Sequence, residues 1–263
     1  MYRVEHEHFW FVGTRDILLE VLRRALGSDD ALARARIVDV GCGTGYTETR
    51  LPAPFDGGAR LAVDLSPIAL TLARLQKNPP ALLQADAGKL PILDASLDVA
   101  LSLDVLEHLD DDVAGARELA RVVRPGGLVV VTVPAFRALW SAHDVALHHR
   151  RRYRRTEIVD VLERAGLAVE HATYFNTLLF PVVAAMRLAG RVRERIAGPS
   201  ANGAESDAKL PPRLLNRVLH RVLAAERHVV GRVPMPVGVS ILVVARPRGG
   251  AATSRASAEG SRS

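Results

Sequence analysis

"IVDVGCGTGYTE", residues 37–48, decides the fold. An apolar run ends at Val40, and Gly41, Gly43 and Gly45 follow within five positions. Glycine gives up a side chain in return for positive φ and for close approach of the backbone to a neighbour. Such a turn, at the carboxyl edge of a parallel sheet, makes a ligand crevice. Dinucleotide folds use G-x-G-x-x-G there, with a pyrophosphate at the helix N-terminus. In this chain the third glycine comes one place early, and Tyr46 stands where that pattern has glycine. Asp39 sits at the strand end before the turn. Its charge opposes a pyrophosphate and favours a cationic ligand.

Working outward, strands alternate with helices. The spacing predicts a helix over 14–26, a strand at 36–40 and a helix opening at "TGYTETRL" that Pro52 ends. A second strand, "ARLAVDLS", leads into a helix at 67–77 with proline in its first turn. Strands at 81–86 and 96–104 follow, then a helix over about 111–123 behind the acids "DDD" and a fifth strand after "RPGG". "RRTEIVDVLERAG" reads as a helix with Thr156 as N-cap and Gly166 as its stop, and 167–175 as strand six. A helical insertion spans about 176–232, with an apolar helix kinked at Pro181 and a loop at "AGPSANGAESDAKLPP". Strand seven covers 238–247. Alternation of this kind gives a parallel sheet with right-handed crossovers, buried on both faces. The domain is expected to cover 1–247, and 248–263 has the composition of a disordered tail.

"VDVGCGTG" resembles the first motif of the class I S-adenosylmethionine-dependent methyltransferases, and later stretches match in order: "LAVDLS", "LLQADAGKLPI", "LDVALSLDVLEHL" and "RVVRPGGLVVVTVP". The similarity is to the small-molecule, ubiquinone/menaquinone methyltransferase-like branch. It implies an α/β, Rossmann-like fold with a seven-stranded, mostly parallel sheet, strand seven antiparallel and beside strand five. It implies S-adenosylmethionine as cofactor, held at Asp39, Gly41, Cys42, Gly43, Gly45, Asp64, Leu65, Asp86, Ala87 and Leu103. In that reading the glycine turn hugs the methionine part, Asp39 takes its amino group, Asp64 the ribose hydroxyls, and Asp86 and Ala87 the adenine. A carboxylate accepting two hydroxyl hydrogen bonds is the physical reason for an acid at position 64.

The acceptor side is read from the residues. "SAHDVALHHRRRYRRTE" follows strand five, and His143, Asp144 and His148, with His149 beside them, are the candidate base, since a His–Asp pair orients an imidazole for proton abstraction. The arginines at 150–152, 154 and 155 suit a phosphate or carboxylate on the substrate, or a solvated face. Asp104, Glu107 and His108 fall at i, i+3 and i+4. That trio suits a divalent cation, or His108 packing near the cofactor while Glu107 pairs; no metal is expected. His8, Phe9 and Trp10 suit a lid over the cofactor or a hydrophobic staple.

The 35 Lys and Arg against 29 Asp and Glu give a net charge of +6, but only three of the basic residues are lysines, an arginine bias that argues weakly for an anionic partner. "NPPA" at 78–81 lies before strand three and lacks the aromatic of a base-amine methylation motif, so nucleic acid is not expected. One cysteine excludes a disulfide framework within the chain. The N-terminal stretch carries acids and histidines where a secretory signal needs a positive region, so a cytoplasmic location is expected. From Arg187 to Arg232 there are ten basic and four acidic residues among leucines and valines, a pattern that fits a helical cap or peripheral contact with the inner, anionic face of a membrane. The expected reaction is methyl transfer to a hydroxyl or carbon of a small molecule, lipid-linked or glycosidic. RNA methylation, or binding without turnover, are the alternatives.

Overall fold

Continuous apolar runs make the strands. Val38, Val40, Val99, Leu101 and the valines of 129–133 are all essentially inaccessible, as a sheet covered on both faces requires. The computed structural model describes residues 4–197 and 210–249. The strands are β1 (Arg36–Val40), β2 (Ala59–Asp64), β3 (Ala81–Gln84), β4 (Leu97–Leu103), β5 (Val123–Pro134), β6 (Leu167–Phe175) and β7 (Ser240–Pro247). They form one sheet in the order β3-β2-β1-β4-β5-β7-β6. β1 pairs in parallel with β2 and β4, while β7 lies antiparallel between β5 and β6. Strand order therefore reverses between β1 and β4, and the carboxyl ends of those strands open into the crevice expected there.

The helices are α1 (Phe9–Leu26), α2 (Asp29–Arg34), α3 (Pro67–Arg74), α4 (Asp112–Val122), α5 (Ala142–Ala146), α6 (Arg155–Arg164), α7 (Phe180–Ala197), α8 (Arg213–Ala225) and α9 (Arg227–Val230). α4 and α6 cover one face of the sheet through Leu119, Val122, Ile158 and Leu162 against Val38, Val40 and Val129. α1 and α8 cover the other through Ile17, Leu22 and Leu223 against Ile37, Leu101 and Val130. Each such side chain stabilises the fold by about 1.5–3 kcal/mol. Gly13 sits within α1 because a Cβ there would stand 2.9 Å from Leu223 of α8. The helix gives up about 0.5–1 kcal/mol of propensity for that approach.

Four local expectations are corrected. No α-helix follows the glycine turn; only a 3-10 turn, Glu48–Arg50, forms. Six residues separate Gly45 from Pro52, too few to offset helix nucleation, and Leu51 before the proline is held extended at φ −72°, ψ 148°. Thr156 is not the N-cap of α6: the cap is Arg154, whose N–H donates to the Glu157 carboxylate at 2.7 Å. Pro181 does not kink α7 but lies in its first turn, where a missing N–H costs nothing. Asp104, Glu107 and His108 share no helical face, because the chain leaves β4 through Asp104 at φ +56° and enters a 3-10 turn at Leu106–His108. Gly166, at φ +89°, ends α6 as expected. The loop at 197–212 and the tail at 248–263 fall largely outside the described residues.

Candidate active site

β1 delivers the glycine turn to the sheet edge. The N–H groups of Gly41 and Cys42 both donate to the carbonyl of Val63 on β2, at 2.7 and 3.0 Å. Gly41 adopts φ +76°, and a Cβ there would lie 2.3 Å from Val105, so β4's exit packs against bare backbone. Gly43, at φ +55°, differs: an added Cβ would meet nothing within 4 Å. The turn thus has a packed side and an open side. Asp64, at the end of β2, accepts hydrogen bonds from Gly43 N and Ser66 N, both at 2.8 Å. A carboxylate has further acceptor sites after two such bonds. Cys42 is buried, and burial pushes its thiol well above the usual range, so it is packing rather than a nucleophile.

Strand alternation turns Asp39 onto the α1 face with Ile37. It is 1% exposed and its Oδ1 has no hydrogen-bond partner. Burial pushes its carboxyl up to about 7; Arg15 opposes that shift and Asp64 adds to it. Glu48 is also buried with both carboxylate oxygens unpartnered, and burial, reinforced by Asp39, pushes it up to about 8. The turn is therefore ringed by acids.

The N-terminal segment adds one more. Glu5 accepts from Thr44 Oγ1 and, at 3.4 Å, from Gln76 Nε2, which also donates to the Thr44 carbonyl at 3.0 Å. The His6 ring stands edge-on to Tyr46 at 4.8 Å. Contact with the glycine turn is thus made by Glu5 and His6. His8 instead caps α1 by accepting from Trp10 N at 3.3 Å, and it stacks on Phe9. Asn216 of α8 fastens the segment, accepting from Phe9 N at 2.9 Å and donating to the Glu7 carbonyl at 2.7 Å.

The remaining cofactor candidates lie at the ends of adjacent strands. Leu65 follows β2 and is 66% exposed, an aliphatic side chain left at the crevice edge. Asp86 and Ala87 follow β3; the Asp86 carboxylate accepts from Gly88 N at 2.7 Å and shapes its own loop. Leu103 ends β4.

On the acceptor side, Asp144 is buried and heavily engaged. Its Oδ1 accepts from His149 Nδ1 at 2.9 Å and Arg152 Nε at 2.6 Å; its Oδ2 accepts from Ser141 N at 2.8 Å and Arg187 Nη1 at 3.3 Å. Burial alone would raise its carboxyl, but the His149 and Arg152 hydrogen bonds outweigh it and hold the group well below the usual range. With Nδ1 so occupied, His149 turns Nε2 toward Glu107 Oε1 at 3.9 Å. His108 stands edge-on to His149 at 4.8 Å, and burial followed by the His149 charge lowers its pKa. Glu107 is wholly buried and neither carboxylate oxygen has a hydrogen-bond partner within the protein. Burial and then Asp104 push it well above the usual carboxylate range. Glu107, His108 and His149 offer ligand atoms within 4.8 Å of one another, a donor set able to hold a divalent cation or a shared proton.

The structure therefore brings together Asp144 and His149. His143 lies half-buried at the start of α5, and His148 is exposed at φ +58°. The arginines that follow latch this loop to the end of β4. Arg150 Nε donates to the His108 carbonyl, Arg151 pairs with Asp112 and Arg152 with Asp144. They are not a free anion-binding row. A cleft of about 400 Å³ beside Arg137, Arg151, Tyr153 and Glu157 lies apart from the glycine turn.

Residues 38–131 match the family model described as a methyltransferase domain. The chain is 29% identical, over 62% of its length and 61% of the relative's, to a Mycolicibacterium smegmatis protein described as a probable S-adenosylmethionine-dependent methyltransferase. It is 32% identical to a malonyl-[acyl-carrier protein] O-methyltransferase of Dechloromonas aromatica, over 62% of this chain and 66% of that one. The chain thus spans less than two thirds of these relatives' length. Among solved structures, it superposes on an S-adenosylmethionine-dependent methyltransferase of Mesorhizobium loti with a TM-score of 0.50 at 20% identity, covering 82% and 92% of the two chains. It superposes on the YcgJ protein of Bacillus subtilis with a TM-score of 0.55 at 16% identity, covering 89% and 99%. At such identities these two likenesses concern the fold.

Proposed function

Residues 38–131 make the chain a member of the class I S-adenosylmethionine-dependent methyltransferase family, and from that premise we propose that it transfers a methyl group to a hydroxyl or carbon of a small acceptor. The observation that carries this reading is the two-sided glycine turn, open at Gly43 and ringed by Asp39, Asp64 and Glu48. The Asp64 carboxylate opposes a phosphate group there, and Asp39 opposes it once ionised. A ligand with a cationic ammonium and a ribose diol is suited to it. The buried, unpartnered Oδ1 of Asp39 fits the first and Asp64 the second. We assign Gly41, Cys42, Gly43 and Gly45 to the close backbone approach, and Leu65, Asp86, Ala87 and Leu103 to the nucleoside and methionine flanks. When bound, the cofactor supplies an electrophilic methyl on sulfonium.

The chain's own task is alignment, exclusion of water and removal of a proton. We move the base from His143 and His148 to His149. Its ring is the one hydrogen-bonded to Asp144, which fixes the tautomer with Nε2 free to accept. Arg152 and Arg187 keep Asp144 ionised, so it stabilises the imidazolium rather than taking the proton itself. His108 and Glu107 line the same spot. Relatives named as O-methyltransferases support oxygen as the acceptor atom. We take 1–247 as one domain, with the 176–232 insertion forming the acceptor wall.

The test is methyl transfer from labelled S-adenosylmethionine into a small-molecule extract. Wild type labels an acceptor; Asp64→Ala lowers labelling at limiting cofactor through weakened cofactor affinity. His149→Ala lowers the rate about 10²–10⁴-fold at unchanged cofactor affinity. Equal rates in His149→Ala and wild type would contradict the assignment of the base.

A further inference from the structure

Two helices of the insertion turn outward the side that helices of a folded domain ordinarily bury. Leu178, just before α7, and Val182 and Met186 within it recur at four-residue spacing and are 56%, 60% and 70% exposed, with Leu188 at 62% beside them. The same helix directs Arg187 inward, where its guanidinium donates to the Leu139 carbonyl at 2.7 Å and to Ser141 Oγ at 3.0 Å. Over its described side chains α7 thus turns Arg187, with Phe180 against Phe136, toward the protein while Val182, Met186 and Leu188 face solvent. α8 shows the same exposure. Its inner face fixes it to the domain through Leu223, through Asn216, and through His220, whose ring bonds Asp16 at 2.9 Å. Its outer face presents Leu214 at 73% and Leu215 and Val218 at 48% each. Arg217 and Arg221, four residues apart, border that stripe, with Arg213 one turn earlier, and all three are exposed.

Charge decides what covers these faces. Over residues 178–190 and 210–237 the sequence contains one acid, Glu226, and it is buried, accepting from Leu178 N at 2.8 Å. That bond also ties the start of α7 to the end of α8, so the two aliphatic stripes meet at one corner. Among the described side chains of these two stretches there are exposed aliphatics and arginines and no exposed carboxylate, a surface that repels a second copy of itself. It complements a continuous anionic layer with an apolar interior. We propose that the outward faces of α7 and α8 dock the protein on an anionic lipid bilayer. Leu178, Val182, Met186, Leu214 and Val218 enter the acyl boundary, and Arg213, Arg217 and Arg221 lie at the lipid phosphates. No described helix is long and apolar enough to cross the bilayer, so this contact is peripheral. The inward Arg187 places the docked helix in direct contact with Asp144.

The full chain, without added cofactor, is sedimented with vesicles of phosphatidylcholine alone and of phosphatidylcholine mixed with phosphatidylglycerol. The expected result is pelleting with the anionic vesicles, at least about tenfold weaker on neutral ones and weakened by salt. Val182→Asp with Met186→Asp, and separately Leu214→Asp with Val218→Asp, should each reduce vesicle affinity about tenfold or more while circular dichroism and cofactor affinity stay at wild-type values. Arg217→Gln with Arg221→Gln should flatten the salt dependence. Equal recovery in the supernatant with and without phosphatidylglycerol would overturn the proposal. So would pelleting unchanged by the aspartate pairs, or a dimer in light scattering that the aspartate pairs dissociate, which would assign the face to a second copy.

Discussion

At the residue scale, two glycines two positions apart do different work. Gly41 is packed against Val105, and both its φ of +76° and the 2.3 Å contact oppose a side chain. Gly41→Ala should therefore lower stability by about 1–3 kcal/mol in denaturant unfolding. Gly43 faces open space at φ +55°. Gly43→Ala should cost about 1 kcal/mol of stability yet strongly reduce cofactor affinity, because its methyl occupies the open side. Equal stability losses with unchanged affinity in both would contradict the two-sided turn. Glu48 gives a pH signature. Its folded pKa, about 8, lies above the ordinary 4.5, so the folded state holds a proton that the unfolded state releases. Stability from this group is intact below the ordinary value and declines as pH rises from there through about 8. Glu48→Gln should melt higher than wild type above that window and nearly equal to it at acid pH, read by calorimetric scans. An equal gap at both ends would contradict the buried, protonated carboxyl.

At the element scale, the N-terminal segment and α8 act as clamps. Glu5→Ala removes the acceptor of Thr44 and leaves Gln76 with one fewer partner, which should cost about 1–3 kcal/mol and speed amide exchange at the glycine turn. Wild-type exchange in this variant would show that the segment does not grip the turn. Gly13→Ala pushes a methyl into Leu223. It should destabilise by about 1–3 kcal/mol, and Leu223→Ala should partly relieve it in a double-mutant cycle. An additive cycle would deny the close packing of α1 on α8. Elements of this kind were unequally legible. β1 and β6 could be read to the residue: the short, mostly apolar β1 ends in the glycine turn, and β6 starts directly after the Gly166 stop. The 3-10 turn at Glu48–Arg50 could not, because "TGYTETRL" has the composition of a helix opening, although the six residues between Gly45 and Pro52 leave too little chain for one. The start of α6 was offset by two residues because Glu157 caps through the backbone of Arg154, a pairing open to any residue type.

At the scale of the whole molecule, the alternation of strands and helices specified a mostly parallel sheet, and the resemblance carried by the motifs implied the antiparallel β7 beside β5; the reversal between β1 and β4 emerged only in the structure. Neither the alternation nor the motifs specified which side chains converge. His143, His148 and His149 are equivalent candidates in sequence; the turn after α5 gives Asp144 to His149 alone of the three in the hydrogen bonds described above. Glu5 carried no local signal, because its partner Thr44 is 39 residues away. The acid-ringed turn was legible in part through Asp39 and Asp64, and those two acids carry the central claim.

The most direct measurement is titration calorimetry of the full chain at a pH above the Asp39 pKa of about 7, with S-adenosylmethionine, S-adenosylhomocysteine and a nicotinamide dinucleotide. The account predicts binding of the first two, weakened by on the order of tenfold or more in Asp64→Ala, and no binding of the dinucleotide. Preference for the dinucleotide, or unchanged affinity in Asp64→Ala, would contradict it.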